Sequence, residues 1–418
     1  MSSVFEALAP RGPIRSTDDH WDVFLSYRSV NRPWVLRLYD QLRYLNYEVF
    51  MDQFVLTTSG GLNMQLEQHL GRSATAVMIW SSRSEESTWC EDEYAALRSL
   101  EKTKRNFRFV VVRVDEVELP LMAQTKLWID FSSQPDGPTG TGLLRLLNGL
   151  QGKPLSDEAV RVAAAYDEAV GRALIKVNAA RSSGDTDTLL VLAKSQAPEW
   201  TTTAMLPCKV AESLIALKRP VDAVPLLDGL ISRFPRSIRP QQLQGLALAR
   251  QGQWRAAQLV LGELHELGER DPETLGILAR TWRDRYAESH DKLHLRRARN
   301  LYAEAFEAAP SDFYTGINAA ANSLLLGDMV AAETFAAAVE SLVGTARRKG
   351  DYWGTATVAE VQLIRGRFTA AAALYAVAVE NDPEAKGSHD STRAQARRLM
   401  DVLSPSEVER AAVEAAFG

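Results

Sequence analysis

The sequence predicts an α/β domain built on a five-stranded parallel sheet, followed by an all-α stack of helical hairpins. Three observations predict this. Five short apolar runs, separated by amphipathic stretches, occupy residues 21–131. From about residue 155 the strand signal disappears and the sequence turns Ala- and Leu-rich with a helical period. That second part then repeats itself, with prolines at 235, 272, 310 and 383 closing similar helices.

The strands come in order. DVFLS (22–26) is an apolar run closed by a small polar residue, and EVFM (48–51) is short. ATAVMIWSS (74–82) is the most apolar candidate, followed by FRFVVVRV (107–114) and LWIDF (127–131). Between them, PWVLRLYDQLRYL (33–45) places Trp34, Leu38, Leu42 and Leu45 on one helical face. A helix is expected from near Leu62, and another over STWCEDEYAALRSL (87–100). Near-continuous apolar strands alternating with helices imply a sheet covered on both faces. Functional loops of such sheets lie beyond the carboxyl ends of the strands, here Ser26, Asp52, Ser81 with Ser82, and Val114-Asp115.

At 418 residues, more than one domain is expected. The expected organisation is an N-terminal tail (1–18), the α/β domain (19–151), a linker with connecting helices (152–204) and the helical repeats (205–418). In the repeats, Ala223, Ala298 and Ala371 each fall at one fixed distance before a proline, and the turns at Gly252, Gly327 and Gly366 precede Ala-rich helices. Small residues let paired helices approach, and a proline cannot continue one. Repeats of this length mean stacked helical hairpins. The pattern resembles degenerate tetratricopeptide repeats over roughly 205–385.

Composition narrows the function. Lys plus Arg is 48 and Asp plus Glu is 53, for a net charge of -5, which argues against a protein that coats nucleic acid. Two cysteines, Cys90 and Cys208, make no disulfide framework and suit a reducing compartment. The first twenty residues lack the apolar core of a signal peptide, and no run of 18 apolar residues occurs. The expectation is a soluble cytoplasmic protein with neither a nucleic-acid nor a membrane partner.

The stretch STWCEDEY carries the chemical question. Thr88 and Glu91 fit a capping box, and Glu91 with Asp92 suits the positive end of a helix dipole. Glu93 is different. It follows Trp89 by four residues, so the two share a helical face, beside a core stripe of Cys90, Tyr94 and Leu97. Spacing alone leaves a structural acceptor and a chemical role equally open.

WDVFLSYRS (21–29), the loop around MDQFVLTTSGG (51–61), IWSSRSEESTWCEDEY (79–94) and LWIDF (127–131) occur in order. Together they resemble a Toll/interleukin-1 receptor (TIR) domain over roughly 18–150, a flavodoxin-like five-stranded parallel sheet. The serine-rich strand end followed by S-x-W-C-x-x-E is the specific part. In catalytic members that glutamate is essential, and it corresponds to Glu93. The same resemblance has Trp89 shape the site and the loop at 52–61 open it. Residues from Tyr27 to Asn31 would form another wall. Many members carry an acid where this chain has Asn31, which puts the polar contacts of that loop in question.

The resemblance implies an NAD+ glycohydrolase, with NAD+ as substrate rather than cofactor and with possible cyclase activity. Glu93 would stabilise charge on the ribose; Trp89 or Tyr27 would stack on a ring. Arg28, Asn31, Ser81 and Ser82 are candidate contacts, with Ser84 behind them and Asp52 as contact or loop anchor. No metal is expected. The layout resembles bacterial immune effectors that act against phage, in which TIR domains self-associate and a protein or small-molecule trigger engages the repeats. The alternative is a non-enzymatic adaptor that signals by association. A receiver-type phosphorylation domain is disfavoured, since Ser81-Ser82 stands where an acceptor aspartate is needed.

Three further groups read as structural. His290 and His294 lie four apart, but with no third ligand they are expected at the surface. Cys90 lacks a histidine partner and reads as packing. Arg283, Arg285, Arg296, Arg297 and Arg299 form a basic cluster whose default is a solvated face.

Overall fold

In the computed structural model of the protein, residues 7–12, 21–51, 62–82, 88–119, 121–124, 128–346 and 350–418 are described; within these, the side chains of 29, 62–66, 88–92, 121–122 and 345–346 are not. By internal contacts the chain divides into Met1–Gly252 and Gln253–Gly418.

The first unit opens with a parallel sheet. Its strands are β1 (Trp21–Ser26), β2 (Val49–Phe50), β3 (Ser73–Trp80), β4 (Arg108–Arg113) and β5 (Trp128–Asp130). They lie in the order β2-β1-β3-β4-β5, every pair parallel. Helices α1 (Arg32–Tyr44), α2 (Leu62–Gly71), α3 (Thr88–Thr103), α4 (Leu121–Gln124) and α5 (Gly140–Gln151) connect and cover them. All eight residues of β3 are buried, as a central strand requires. Trp34, Leu38, Leu42 and Leu45 are buried together, as their spacing predicts. Phe24, Met78, Trp80, Leu97 and Val111 form the core between the sheet and α3. Part of the tail is tied down: Gly12 donates its N–H to the Leu45 carbonyl, and Tyr47 Oη donates to the Pro10 carbonyl.

The rest of the first unit is helical: α6 (Asp157–Ser183), α7 (Thr186–Ala193), α8 (Pro198–Thr201), α9 (Met205–Ala216), α10 (Pro220–Arg233) and α11 (Ile238–Arg250). These helices hold the sheet domain at two places. Asp167 of α6 accepts from Thr139 Oγ1 and the Thr141 N–H at the start of α5. On the other side α1 packs against α11. Glu212 of α9 lies between Arg37 of α1 and Arg239 of α11, at 3.2 and 2.8 Å. Lys209 binds Asp136 at 2.5 Å, and Tyr44 meets Phe234 edge-on. Asp40, 7% exposed, accepts from the N–H of Ile238, the first residue of α11. It thereby caps that helix from another domain, a service that Ser237 at the N-cap position does not perform with its own side chain.

The second unit contains α12 (Trp254–Glu266), α13 (Pro272–Ser289), α14 (Lys292–Ala308), α15 (Phe313–Leu326), α16 (Met329–Ala346), α17 (Tyr352–Ile364), α18 (Phe368–Asn381), α19 (Lys386–Leu403) and α20 (Glu407–Ala415). Ala257, Ala298, Ala332 and Ala371 are buried where helices pair closely. Gly252, Gly327 and Gly366 lie in the turns that the sequence predicts, and all have positive φ two residues before the next helix begins. In the matching turns, Lys218 (φ 60) and His290 (φ 54) adopt the same conformation without being glycine.

Two sequence expectations need correction. Pro235, Pro310 and Pro383 do follow helix ends, one residue past the caps Phe234, Ala309 and Asp382. Pro272 instead opens α13, with Asp271 capping it by accepting from the Glu273 and Thr274 N–H groups. Asp-Pro suits a helix start because proline's missing N–H is not needed there. The second correction concerns His294. It is 9% exposed, packed at a tilt against Trp282 and bonded to Ser289, while His290 is the turn residue. Among the described residues no His, Cys, Asp and Glu cluster suits a metal, and no helix is long and apolar enough to cross a membrane.

Candidate functional site

The strand order places a crevice between β1 and β3. The chain leaves β1 toward one side of the sheet and β3 toward the other, so their following loops diverge. Side-chain alternation then distributes the polar residues. Ser26 shares a sheet face with Phe24, toward α3, and the β1–β3 register sets it beside Met78. Ser26 is buried, and its hydroxyl donates to Glu93 Oε2 at 2.5 Å. Glu93, half-buried in the second turn of α3, thus hangs over the carboxyl end of β1. Tyr94, the next residue, packs edge-on against Phe109 of β4, and Leu97 is buried one turn on. These two anchor α3 and fix the rotation that turns Glu93 toward the crevice.

The opposite wall is the loop after β1. A 3₁₀ turn spans Ser29–Asn31, closed by the Asn31 N–H donating to the Arg28 carbonyl. Asn31 is the N-cap of α1, yet its side chain makes no capping bond. Its Nδ2 donates instead to Ser81 Oγ, 2.9 Å away at the end of β3. In this bond the amide is the donor; an aspartate could meet Ser81 only by accepting the serine proton. The bond cross-links the loops on the two sides of the crevice. Tyr27 is half-buried, and its Oη accepts from Arg32 Nη1 at 2.9 Å, which fixes the ring on the β1 loop. Arg28 is half-buried on the same loop.

Ser82 is directed elsewhere. Its N–H and hydroxyl both bind the Asp115 carboxylate, at 2.7 to 3.0 Å, tying the end of β3 to the loop after β4. The structure therefore joins Glu93 with Ser26, Asn31 with Ser81, and Ser82 with Asp115 along one edge. Asp52 and Ser84 lie outside the described residues, as do the side chains of Trp89, Cys90, Thr88 and Glu91. Sequence reasoning marks Ser26 and Asp115 only as strand ends. The signal for Ser26 is there all the same: a small polar residue closing an apolar strand at the functional edge.

The family model for the TIR domain matches residues 23–147. The chain carries a TIR domain. A second family model, Tetratricopeptide Repeats-Sensor, matches residues 220–325. The chain is also similar to solved TPR proteins. One is a thermophilic TPR protein of Thermus thermophilus, at 20% identity over 48% of this chain and 98% of that one, with a TM-score of 0.38. Another is the APC/C hetero-tetramer Cut9-Hcn1, at 10% identity over 58% and 48%, with a TM-score of 0.39. No curated protein matches the chain. The TIR domain therefore supplies Glu93 and its crevice, and the sensor-type repeats begin at the hairpin that packs against α1.

Proposed function

We propose that the TIR domain cleaves the nicotinamide–ribose bond of NAD+ and that Glu93 is its catalytic carboxylate. The observation that carries this reading is the position of Glu93 in the β1–β3 crevice, with one oxygen held by the buried Ser26 hydroxyl. Ordinary glycosidases need a second carboxylic acid to protonate a leaving oxygen. Nicotinamide leaves a cationic N-glycoside as a neutral base, so that proton is not required. As the C1′–N bond breaks, its electron pair goes to nicotinamide and positive charge grows on the ribose. A single anchored carboxylate stabilises that charge. Water then adds at C1′ and releases a proton, giving ADP-ribose; attack by a ring nitrogen of the substrate's own adenine would give a cyclic product.

Tyr27 and Trp89 are the aromatic candidates for stacking. Arg28 is the candidate phosphate contact, and Asn31, Ser81, Ser82 and Asp52 are the polar candidates around the crevice. The repeats would sense a protein or small-molecule trigger, and association of TIR domains would complete the site. An effector that consumes NAD+ in antiphage defence fits this layout.

The test is NAD+ loss and nicotinamide release by the full chain at high concentration, with and without a crowding agent. Wild type should release nicotinamide, and Glu93→Gln should lose at least about 100-fold, the scale of an electrostatic transition-state contact. Equal cleavage by both would remove Glu93 from the mechanism. Association without cleavage under any condition would favour the adaptor reading.

A further inference from the structure

The second unit carries a row of alternating arginine and tryptophan side chains that the TIR chemistry does not use. Trp254 and Arg255 open α12, Trp282 and Arg285 lie in the last turns of α13, and Arg297 is in the second turn of α14. The guanidinium carbons of Arg255 and Arg285 each stand 4.8 Å from the Trp254 ring centre. Arg285 and Arg297 stand 5.2 and 4.5 Å from that of Trp282. Each indole is thus shared by two guanidiniums, and Arg285 bridges both.

Such stacking orders the cations without using their N–H donors. None of Arg255, Arg285 and Arg297 has a carboxylate or hydrogen-bond partner for its guanidinium among the described residues, and Arg255 and Arg297 are exposed. Of the other members of the basic cluster, Arg283 is engaged with Asn318 and Arg299 with Asp328 and Asn300, while Arg296 is exposed beside Arg297. Arg255 also sits against a helix dipole: α12 has neither an acid in its first turn nor a side-chain cap, whereas Arg285 lies near the C-terminal end of α13 and α14 is capped by Asp291. Cations near helix N-termini raise the local positive potential where acids would ordinarily lower it. An unmet cost of this kind marks a site awaiting an anion.

We propose that this row docks the backbone of a single-stranded nucleic acid. Three guanidiniums are linked in a row through two indoles, and each can offer a planar fork to phosphate oxygens of one strand. The exposed end members, Arg255 and Arg297, can also take a base on the guanidinium plane. Glu288, bound to Trp254 Nε1, and Asp291, the cap of α14, flank the row. These acids leave a narrow positive strip, which suits one strand and disfavours the broad face of a duplex. The net charge of the whole chain excludes a coating protein but not this local strip. The inference is independent of the chemistry assigned to Glu93.

The experiment is fluorescence anisotropy of the full chain with labelled single-stranded oligonucleotides of about 15 nucleotides, titrated at several salt concentrations. Wild type should bind with a salt slope steeper by about 2 than that of the triple variant R255Q/R285Q/R297Q, corresponding to three lost phosphate contacts. Arg285→Gln alone should weaken binding about 10-fold, and Arg285→Lys, which keeps charge without the plane, should fall between. Arg297→Gln, exposed at the row's end, is the variant of choice if the triple variant melts early. No binding, unchanged binding by these variants, or equal binding of a duplex or of polyglutamate would each overturn the proposal.

Discussion

Ser26 Oγ lies 2.5 Å from Glu93 Oε2, joining the last residue of β1 to the second turn of α3 across the crevice. This bond sets the direction of the carboxylate. A hydrogen bond to a charged group contributes about 1.5–3 kcal/mol. Ser26→Ala should therefore lower nicotinamide release by about 10- to 100-fold, less than Glu93→Gln does. KM should change little, because the bond orients the carboxylate rather than the substrate. A variant with unaltered kcat would detach Ser26 from the chemistry.

Asn31 should tolerate loss of its amide poorly. Asn31→Ala removes the donor to Ser81, leaving the loop after β1 without its tie to β3. The expected outcome is faster amide hydrogen exchange at 27–31 and an unchanged melting temperature for the helical repeats. Equal exchange in both proteins would show the Asn31–Ser81 bond to be incidental.

Asp40 makes the contact between the TIR domain and α11 sensitive to pH. Burial pushes its carboxyl up to about 7, against the lowering pull of the Ile238 N–H and of Arg37 and Arg239. Its folded value thus lies above the ordinary one. Folding then takes up a proton between about pH 4 and 7, and stability falls as pH rises through that window. Asp40→Asn keeps an acceptor for Ile238 and cannot ionise, so its melting temperature should be flatter from about pH 5 to 7.5. Asp40→Ala should cost about 1–2 kcal/mol through the lost cap. A wild type whose stability rises across the window would reverse the argument.

The left-handed turns offer a test of the repeats. Lys218→Gly and His290→Gly should each stabilise by about 0.5–1 kcal/mol, since a side chain at positive φ costs about 1–2 kcal/mol and glycine's entropy offsets part of the gain. Gly327→Ala should destabilise by about 1 kcal/mol. A Cβ there meets nothing within 4 Å, so the whole effect belongs to the backbone. Chemical denaturation midpoints would show both signs.

Gly316 is different. Its added Cβ would come within 2.6 Å of Val339 and 2.9 Å of Phe306. Gly316→Ala should cost about 1–3 kcal/mol by overpacking, with the loss relieved in Gly316→Ala/Val339→Ala. If Gly316→Ala alone were as stable as wild type, α15 would have to shift freely against its neighbours.

The legible and illegible parts divide by range. The strands are readable because a strand covered on both faces must be apolar nearly throughout, as β3 is; the edge strand β5, with Trp128 and Asp130 exposed, is readable from its short apolar run alone. The helical hairpins are readable from buried alanines and from glycines that only a left-handed turn explains. Pro272 is ambiguous because proline stops one helix and starts another, and the Asp271 cap decides between these. His294 escapes a local reading because a histidine's burial depends on what covers it, here Trp282 from a neighbouring helix.

Sequence by itself determined the strands, the turns and the helical position of Glu93, since these rest on residues a few positions apart. Only tertiary structure decided that Ser26 holds Glu93, that Asn31 reaches Ser81, that Asp40 caps α11 and that three arginines share two tryptophans. Those partners lie far apart along the chain or on different helices. Their contacts come from strand order and helix packing, which no local period encodes.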